Sequence, residues 1–345
     1  MRSVALAAVA VAMLMACGAD ASNPAPDART SAPSNPPSNA LTPAPSDTPP
    51  APGTAAPLVP LAPAQSGVPL RFDSARAWEH LRRQVAFGPR PSGSAALAEC
   101  RRYILTELKA AGIDAREQAF DAMTPAGVIK MINVIATIPG RRPDRIVLAT
   151  HYDTKRFREF AFVGASDGAS STAAALELGR VLRAGPREYT VELLFLDGEE
   201  AVNTEWRDPD NTYGSKYYVR AARQAGTLAG LKALILLDMV GDRNLDIRRD
   251  TNSTRWLTDL VWSSAARLGY SSTFIDEAFA VEDDHLPFLE AGVAAVDIID
   301  LDYPEWHTAQ DDLDHVSARS LQTVGEVVLD ALPRIEAQLG AATPR

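Results

Sequence analysis

Two adjacent carboxylates, Glu199 and Glu200, follow an apolar run with the composition of a buried strand. The run is rich in Val, Leu and Phe, and Asp197-Gly198 ends it with a turn. Ligands bind at the carboxyl ends of strands in open α/β sheets, where one carboxylate can hold a metal ion and another can move a proton. An isolated Glu-Glu pair would more often be a solvated turn, so the interpretation depends on the other strand ends.

Other predicted strands end in metal-binding residue types too. His151, Asp238 and His307 each follow an apolar run, and Asp167 lies in a Gly-rich loop directly before a predicted helix. Taken singly, these residues have ordinary explanations as a hydrogen-bonded histidine, a strand-end turn residue or a helix N-cap. Together with Glu200 they indicate one set of nitrogen and oxygen ligands of the kind that binds Zn²⁺ and leaves a coordination position open.

The elements that must position these residues alternate between strand and helix patterns. We predict strands at 130–138, 145–149, 189–196, 231–237 and 294–299, and helices at 74–85, 95–110, 170–182, 214–223, 254–268 and 321–339. The first helix would be capped by Ser74, and the first two strands would be neighbours. This alternation predicts an α/β fold with a mostly parallel, mixed central sheet and helices on both faces, in one catalytic domain at 71–340 with a tail at 341–345.

The chain begins with features of an exported lipoprotein. Arg2 and the apolar run 4–14 are typical of a secretory signal, and Leu14-Met15-Ala16-Cys17 is similar to the bacterial lipobox, with Cys17 as the lipidated residue after a signal at 1–16. An ordinary cleaved signal is the alternative. The Pro/Ala/Ser-rich stretch 17–70 is predicted to be a disordered spacer. We therefore expect a protein held on a membrane by its lipid anchor alone, facing the periplasm or the cell exterior.

Composition excludes some classes of partner. The 345 residues are 46% hydrophobic and 23% charged, as in a globular protein, and the formal net charge of -10 argues against nucleic acid binding. Once Cys17 is lipidated, Cys100 is alone, so no disulfide within the chain is expected. We expect a monomer.

Six motifs in order carry a resemblance to a known family: HYDTK, GASDGAS, FLDGEEA, LLDMVG, EDDHLPF and EWHT. The pattern resembles the zinc aminopeptidase superfamily and, more closely, its glutaminyl cyclase (glutaminyl-peptide cyclotransferase) branch, over about residues 72–339. The resemblance implies one Zn²⁺ per chain, bound by Asp167, Glu200 and His307. It also implies Glu199 as the general acid/base, in a hydrogen-bonded network with two further catalytic carboxylates, Asp238 and Asp283.

The resemblance implies that peptide N-termini are the substrates and that N-terminal glutamine becomes pyroglutamate with release of ammonia. Trp206, Tyr303 and Trp306 would bind the substrate. His151 and Asp238 could hold a second metal ion, so an aminopeptidase with two zinc ions, in which Glu199 activates water, is the first alternative. The second is an inactive lipid-anchored binding module.

Overall fold

A computed structural model describes residues 71–342, all of which belong to one compact unit. The helices are α1 (Ser74–Val85), α2 (Ala95–Ala110), α3 (Ser171–Arg183), α4 (Tyr213–Gln224), α5 (Arg255–Leu268), α6 (Leu286–Glu290) and α7 (Ala318–Ala342). The strands are β1 (Asp114–Thr124), β2 (Gly127–Ile138), β3 (Arg142–His151), β4 (Tyr189–Leu196), β5 (Leu231–Asp238), β6 (Ile247–Asp250), β7 (Phe274–Phe279) and β8 (Ala294–Ile299).

Six strands form the central sheet in the order β1-β2-β4-β3-β5-β8, and β6 and β7 form a separate parallel pair. β1 and β2 are antiparallel, β2 is antiparallel to β4, and β4, β3, β5 and β8 run parallel to one another. The mixed, mostly parallel α/β architecture predicted from the sequence is confirmed. Its four parallel strands bring their carboxyl ends to one edge of the sheet.

The core lies on both faces of this sheet. One face packs against apolar side chains of α1, α2, α3, α5 and α7, and the other packs against α4 and α6. Successive residues of β4 alternate between the two, with Leu193 and Phe195 on the first face and Leu194 and Leu196 on the second. All eight residues of β4 are buried, as the near-continuous apolar run predicted.

Some local predictions were wrong. β2 and β3 are not neighbours, because β4 lies between them. The helix α3 joins β3 to β4, and its sequence does not indicate on which side of β3 the next strand pairs. The cap of α1 is Asp73, whose carboxylate accepts the backbone N–H groups of Ala75 and Arg76, so Ser74 is the first helical residue. The strand pattern of β1 was missed because most of its side chains are exposed and polar.

The predictions for the signal at 1–16, the lipidated Cys17 and the spacer at 17–70 lie outside the described residues. Within 71–342, no helix combines the length and apolar character that crossing a bilayer requires. Cys100 lies on the buried face of α2, and burial raises the pKa of its thiol to about 11. A structural cysteine is therefore the better interpretation of this residue.

Candidate active site

Four predicted site residues lie where parallel strands end. His151 is the last residue of β3 and Asp238 the last of β5, while Glu199 and Glu200 follow β4 after a turn at Gly198. Gly198 has φ +78, and a Cβ there would lie 2.3 Å from the sulfur of Met131. Only glycine fits this turn, which delivers the two glutamates to the sheet edge.

Asp167 reaches the same edge from a short kinked turn, Ala165–Ser170, directly before α3. The backbone departs from helical geometry at Asp167 (ψ 102) and at Gly168 (φ 89). A Cβ on Gly168 would lie 2.6 Å from the carbonyl oxygen of Asp153, so glycine is required beside the carboxylate.

The three predicted metal ligands are brought together. The Nε2 atom of His307 lies 3.3 Å from Asp167 Oδ2 and 3.3 Å from Glu200 Oε1, and one ligand atom from each residue lies within 4.8 Å of the others. Glu200 Oε2 is buried and accepts no hydrogen bond from any residue in 71–342, although the ammonium of Lys155 is 3.7 Å away. Two carboxylates and one imidazole form a donor set that fits Zn²⁺.

Electrostatics indicate that this cluster attracts a cation. Burial lowers the pKa of His307, but hydrogen bonds to Asp167 and Glu200 and their charges outweigh it and raise the pKa to about 10. A proton on His307 therefore offsets the charge of one of the two carboxylates while no metal ion is bound. A metal ion must displace that proton, so binding is expected to weaken as the pH falls.

A second cluster shares Asp167 with the first. His151 Nε2 lies 3.0 Å from Asp238 Oδ1 and 3.2 Å from Asp167 Oδ1, and these three residues also converge closely enough to hold an ion. The residues predicted for a second metal position are thus assembled, as the two-metal alternative requires.

Glu199 lies beside both clusters, and burial raises its pKa well above the usual value. The imidazolium of His151 opposes this shift, whereas the charges of Glu200, Asp283 and Asp238 add to it. The carboxylate of Asp153 accepts the backbone N–H groups of Glu199 and Glu200, at 3.3 and 3.4 Å, and so holds this turn in place. A raised pKa makes the ionised carboxylate a stronger proton acceptor, which suits a general acid/base.

A cavity of about 300 Å³ adjoins these clusters. Trp206 and Trp306 lie in its wall, and Glu199, Asp238 and Asp283 line it together with the three predicted metal ligands. Tyr303 is not among the lining residues. It is buried, and its hydroxyl donates a hydrogen bond to Asp311 Oδ1 at 3.0 Å, so the structure gives it a supporting position instead of the predicted contact with substrate.

Asp311 is a supporting residue that the sequence analysis missed. It is fully buried, and its carboxylate accepts the backbone N–H groups of Ser166 at 2.7 Å and of Asp167 at 3.1 Å. The signal was weak, because Asp311 and Asp312 are adjacent and only the fold distinguishes the buried residue from its partly exposed neighbour.

Comparison with known proteins adds independent information. Residues 133–332 match the model of Peptidase family M28. The chain is 31% identical over 290 residues to the glutaminyl-peptide cyclotransferase-like protein of Mus musculus, an alignment covering 73% of this chain and 75% of that protein.

Two solved structures show the same fold. The glutaminyl cyclase of an Acidobacteriales bacterium is 41% identical with a TM-score of 0.75, over 81% of this chain and 100% of that chain. A leucine aminopeptidase precursor from Bacteroides thetaiotaomicron VPI-5482 is 29% identical with a TM-score of 0.71, over 77% of this chain and 98% of that chain.

Proposed function

The chain belongs to the glutaminyl-peptide cyclotransferase branch of the zinc aminopeptidase superfamily, within peptidase family M28, and from this we propose that it converts N-terminal glutamine of peptides to pyroglutamate with release of ammonia. The observation that carries the proposal is the shared cavity, which is lined by Glu199, by Asp167, Glu200 and His307, and by two tryptophan side chains.

Zinc dependence is part of the proposal. Asp167, Glu200 and His307 would hold the ion, since their donor atoms converge and Glu200 Oε2 is buried without a hydrogen-bond partner among residues 71–342. When bound, zinc supplies a Lewis acid that polarises the γ-carboxamide of the substrate glutamine. The cavity lining is acidic and, among residues 71–342, includes no lysine or arginine, so it is complementary to this cation.

Glu199 is the residue that moves protons. The α-amine nitrogen of the substrate forms a bond to the side-chain amide carbon, the bond from that carbon to the amide nitrogen breaks, and ammonia leaves. Glu199 takes a proton from the attacking amine and returns it to the departing nitrogen, which its raised pKa suits. Both reacting groups belong to one residue, so the protein has mainly to hold that residue in its folded conformation.

The tryptophan walls protect this reaction. Attack by water on the same amide carbon would give glutamate instead of the ring. Trp206 and Trp306 border the cavity together with apolar side chains such as Val281 and Ile299. With the substrate in the cavity, these side chains would limit the access of water to the amide carbon.

The test is mass spectrometry of two peptides after incubation with zinc-loaded protein, one beginning with Gln and one with Leu. Loss of ammonia from the Gln peptide, with the Leu peptide unchanged, is the expected result. A Glu199→Gln variant is the matched control, because it removes the acid/base group and keeps the side chain's size. Release of the first residue from the Leu peptide, with no cyclisation of the Gln peptide, would show that the proposed activity is wrong.

The aminopeptidase alternative has one structural observation in its favour. His151, Asp167 and Asp238 form a second cluster able to hold an ion, and the chain is similar to a leucine aminopeptidase precursor as well as to cyclases. In that reaction Glu199 would activate water. Metal analysis separates the two proposals, since the cyclase is expected to hold one zinc ion per chain and the aminopeptidase two.

The location of the protein is also a proposal. The lipobox-like sequence at Cys17 supports export as a lipoprotein anchored by its acyl chains, with the acidic, monomeric catalytic domain free to meet peptide N-termini. Mass measurement of the N-terminal peptide from the mature protein tests this, and an unmodified peptide beginning elsewhere would contradict it.

A further inference from the structure

Three aromatic side chains surround the imidazole of His307. Trp306 stacks on it, with ring centroids 4.4 Å apart and an interplanar angle of 26°. Phe157 and Phe162 meet it edge-to-face, with centroids at 5.6 and 5.7 Å and angles of 72° and 88°. The ring is therefore contacted by aromatic groups from two separate segments of the chain.

His307 needs such support for two reasons. Its backbone has φ +56, in the left-handed region that side chains other than glycine rarely adopt, so its surroundings must hold it there. In addition, a metal-binding histidine usually donates its second ring N–H to a carboxylate or a carbonyl, which fixes the ring orientation. In the part of the chain that the structure describes, the Nδ1 atom of His307 makes no such hydrogen bond.

Phe157 contacts both Phe160 and Phe162, and Phe157 and Phe162 also contact the ring of His307. Phe162 is fully buried. Phe157 packs against Phe162 at 5.4 Å and stacks on Phe160 at 4.5 Å. These contacts form a small aromatic group whose remaining neighbour ring is that of His307.

We propose that Phe157 and Phe162 are positioning residues that hold the His307 ring with Nε2 toward Asp167 and Glu200, in place of the missing hydrogen bond at Nδ1. Edge-to-face contacts fix the relative orientation of two rings as well as their separation. The inference rests on the proposed function in so far as His307 is taken to bind zinc. Sequence reasoning overlooked the segment, although three phenylalanines within six residues separate the motifs that contain His151 and Asp167.

The test is the zinc affinity of the full-length protein, measured by competition with a chelator. Phe157→Leu keeps apolar volume but removes the ring, and we expect it to weaken zinc binding by about 10-fold to 100-fold, as loss of a supporting partner of a metal ligand does. Phe157→Tyr retains the ring and should stay within about threefold of the unmodified protein, since the edge-to-face contact survives. The matched control is Phe160→Leu, in the same segment, because Phe160 makes no ring contact with His307.

A second readout separates positioning from folding. Visible absorption of the Co²⁺-substituted protein reports ligand geometry, and it should change in Phe157→Leu while the thermal midpoint of the metal-free protein stays near that of the parent. If Phe157→Leu does not fold, Phe157→Met takes its place. Unchanged zinc affinity in both of these variants, or an equal loss in Phe160→Leu, overturns the positioning role alone. An unmodified protein that binds no zinc overturns the proposed function as well.

Discussion

Asp311 offers a sharp test of how the ligand turn is held. Its carboxylate accepts N–H groups from Ser166 and Asp167 and the hydroxyl of Tyr303, at 2.7, 3.1 and 3.0 Å. Asp311→Asn keeps the side-chain shape but replaces one accepting oxygen with NH₂, so a buried donor faces another donor. A hydrogen bond to a charged group contributes about 1.5–3 kcal/mol and an unpaired buried donor costs about 1–3 kcal/mol. Because the lost hydrogen bond and the unpaired donor are two aspects of one contact, their costs are not simply added, and we expect a loss of about 3 kcal/mol in the free energy of unfolding.

For a domain of this size, that loss lowers the unfolding midpoint by about 6–12 °C. The assay is thermal unfolding of the metal-free protein, followed by chelator competition for zinc, which should also weaken because the backbone of Asp167 loses its anchor. Asp314→Asn is the control, as it makes the same Asp-to-Asn change at an exposed residue three positions away and should change the free energy of unfolding by less than about 0.5 kcal/mol. If Asp311→Asn unfolds at the parent temperature and binds zinc equally well, the anchoring role is wrong.

Three other predictions follow from the site and the core. Glu199→Gln should lower kcat by about 10²-fold to 10⁴-fold, measured as ammonia release, and a loss below tenfold would exclude an acid/base role. Tyr303→Phe should leave KM unchanged but cost about 1 kcal/mol of stability through its bond to Asp311, and a raised KM would restore the predicted contact with substrate. Burial lowers the pKa of the His80 imidazole to about 3. As the pH falls from 6.5 toward 3, His80 is therefore protonated only in the unfolded chain, and the free energy of unfolding falls by about 1 kcal/mol per pH unit. His80→Gln, which can still bond the Tyr103 hydroxyl, should flatten that slope in denaturant titrations at pH 7, 6 and 5, and an unchanged slope would contradict the assignment.

The sequence was most informative where strands are buried on both faces. The bounds of β4 and β8 agree with the prediction, because a continuous apolar run that ends at a turn defines where the strand begins and ends. The same reasoning located His151, Glu199 and Asp238, because parallel strands place their carboxyl ends together.

Features set by tertiary contacts were beyond sequence reasoning. The polar, half-exposed strand β1 has no strong periodic pattern, and the insertion of β4 between β2 and β3 depends on how α3 packs on the sheet. Tyr303 and Asp311 lie in an irregular segment, where residue type alone does not tell a cavity wall from a hydrogen-bonded support. The ring contacts of Phe157 likewise depend on two loops that only the fold brings together.

Because Asp167 belongs to both ion-binding clusters, it is a poor choice for genetic dissection of this enzyme. A substitution of Asp167 would remove a ligand from both candidate metal sites at once, so it would be expected to abolish cyclisation and hydrolysis alike. His151 and Glu200 each serve only one of the two sets, so they are the positions at which a separation-of-function experiment can begin.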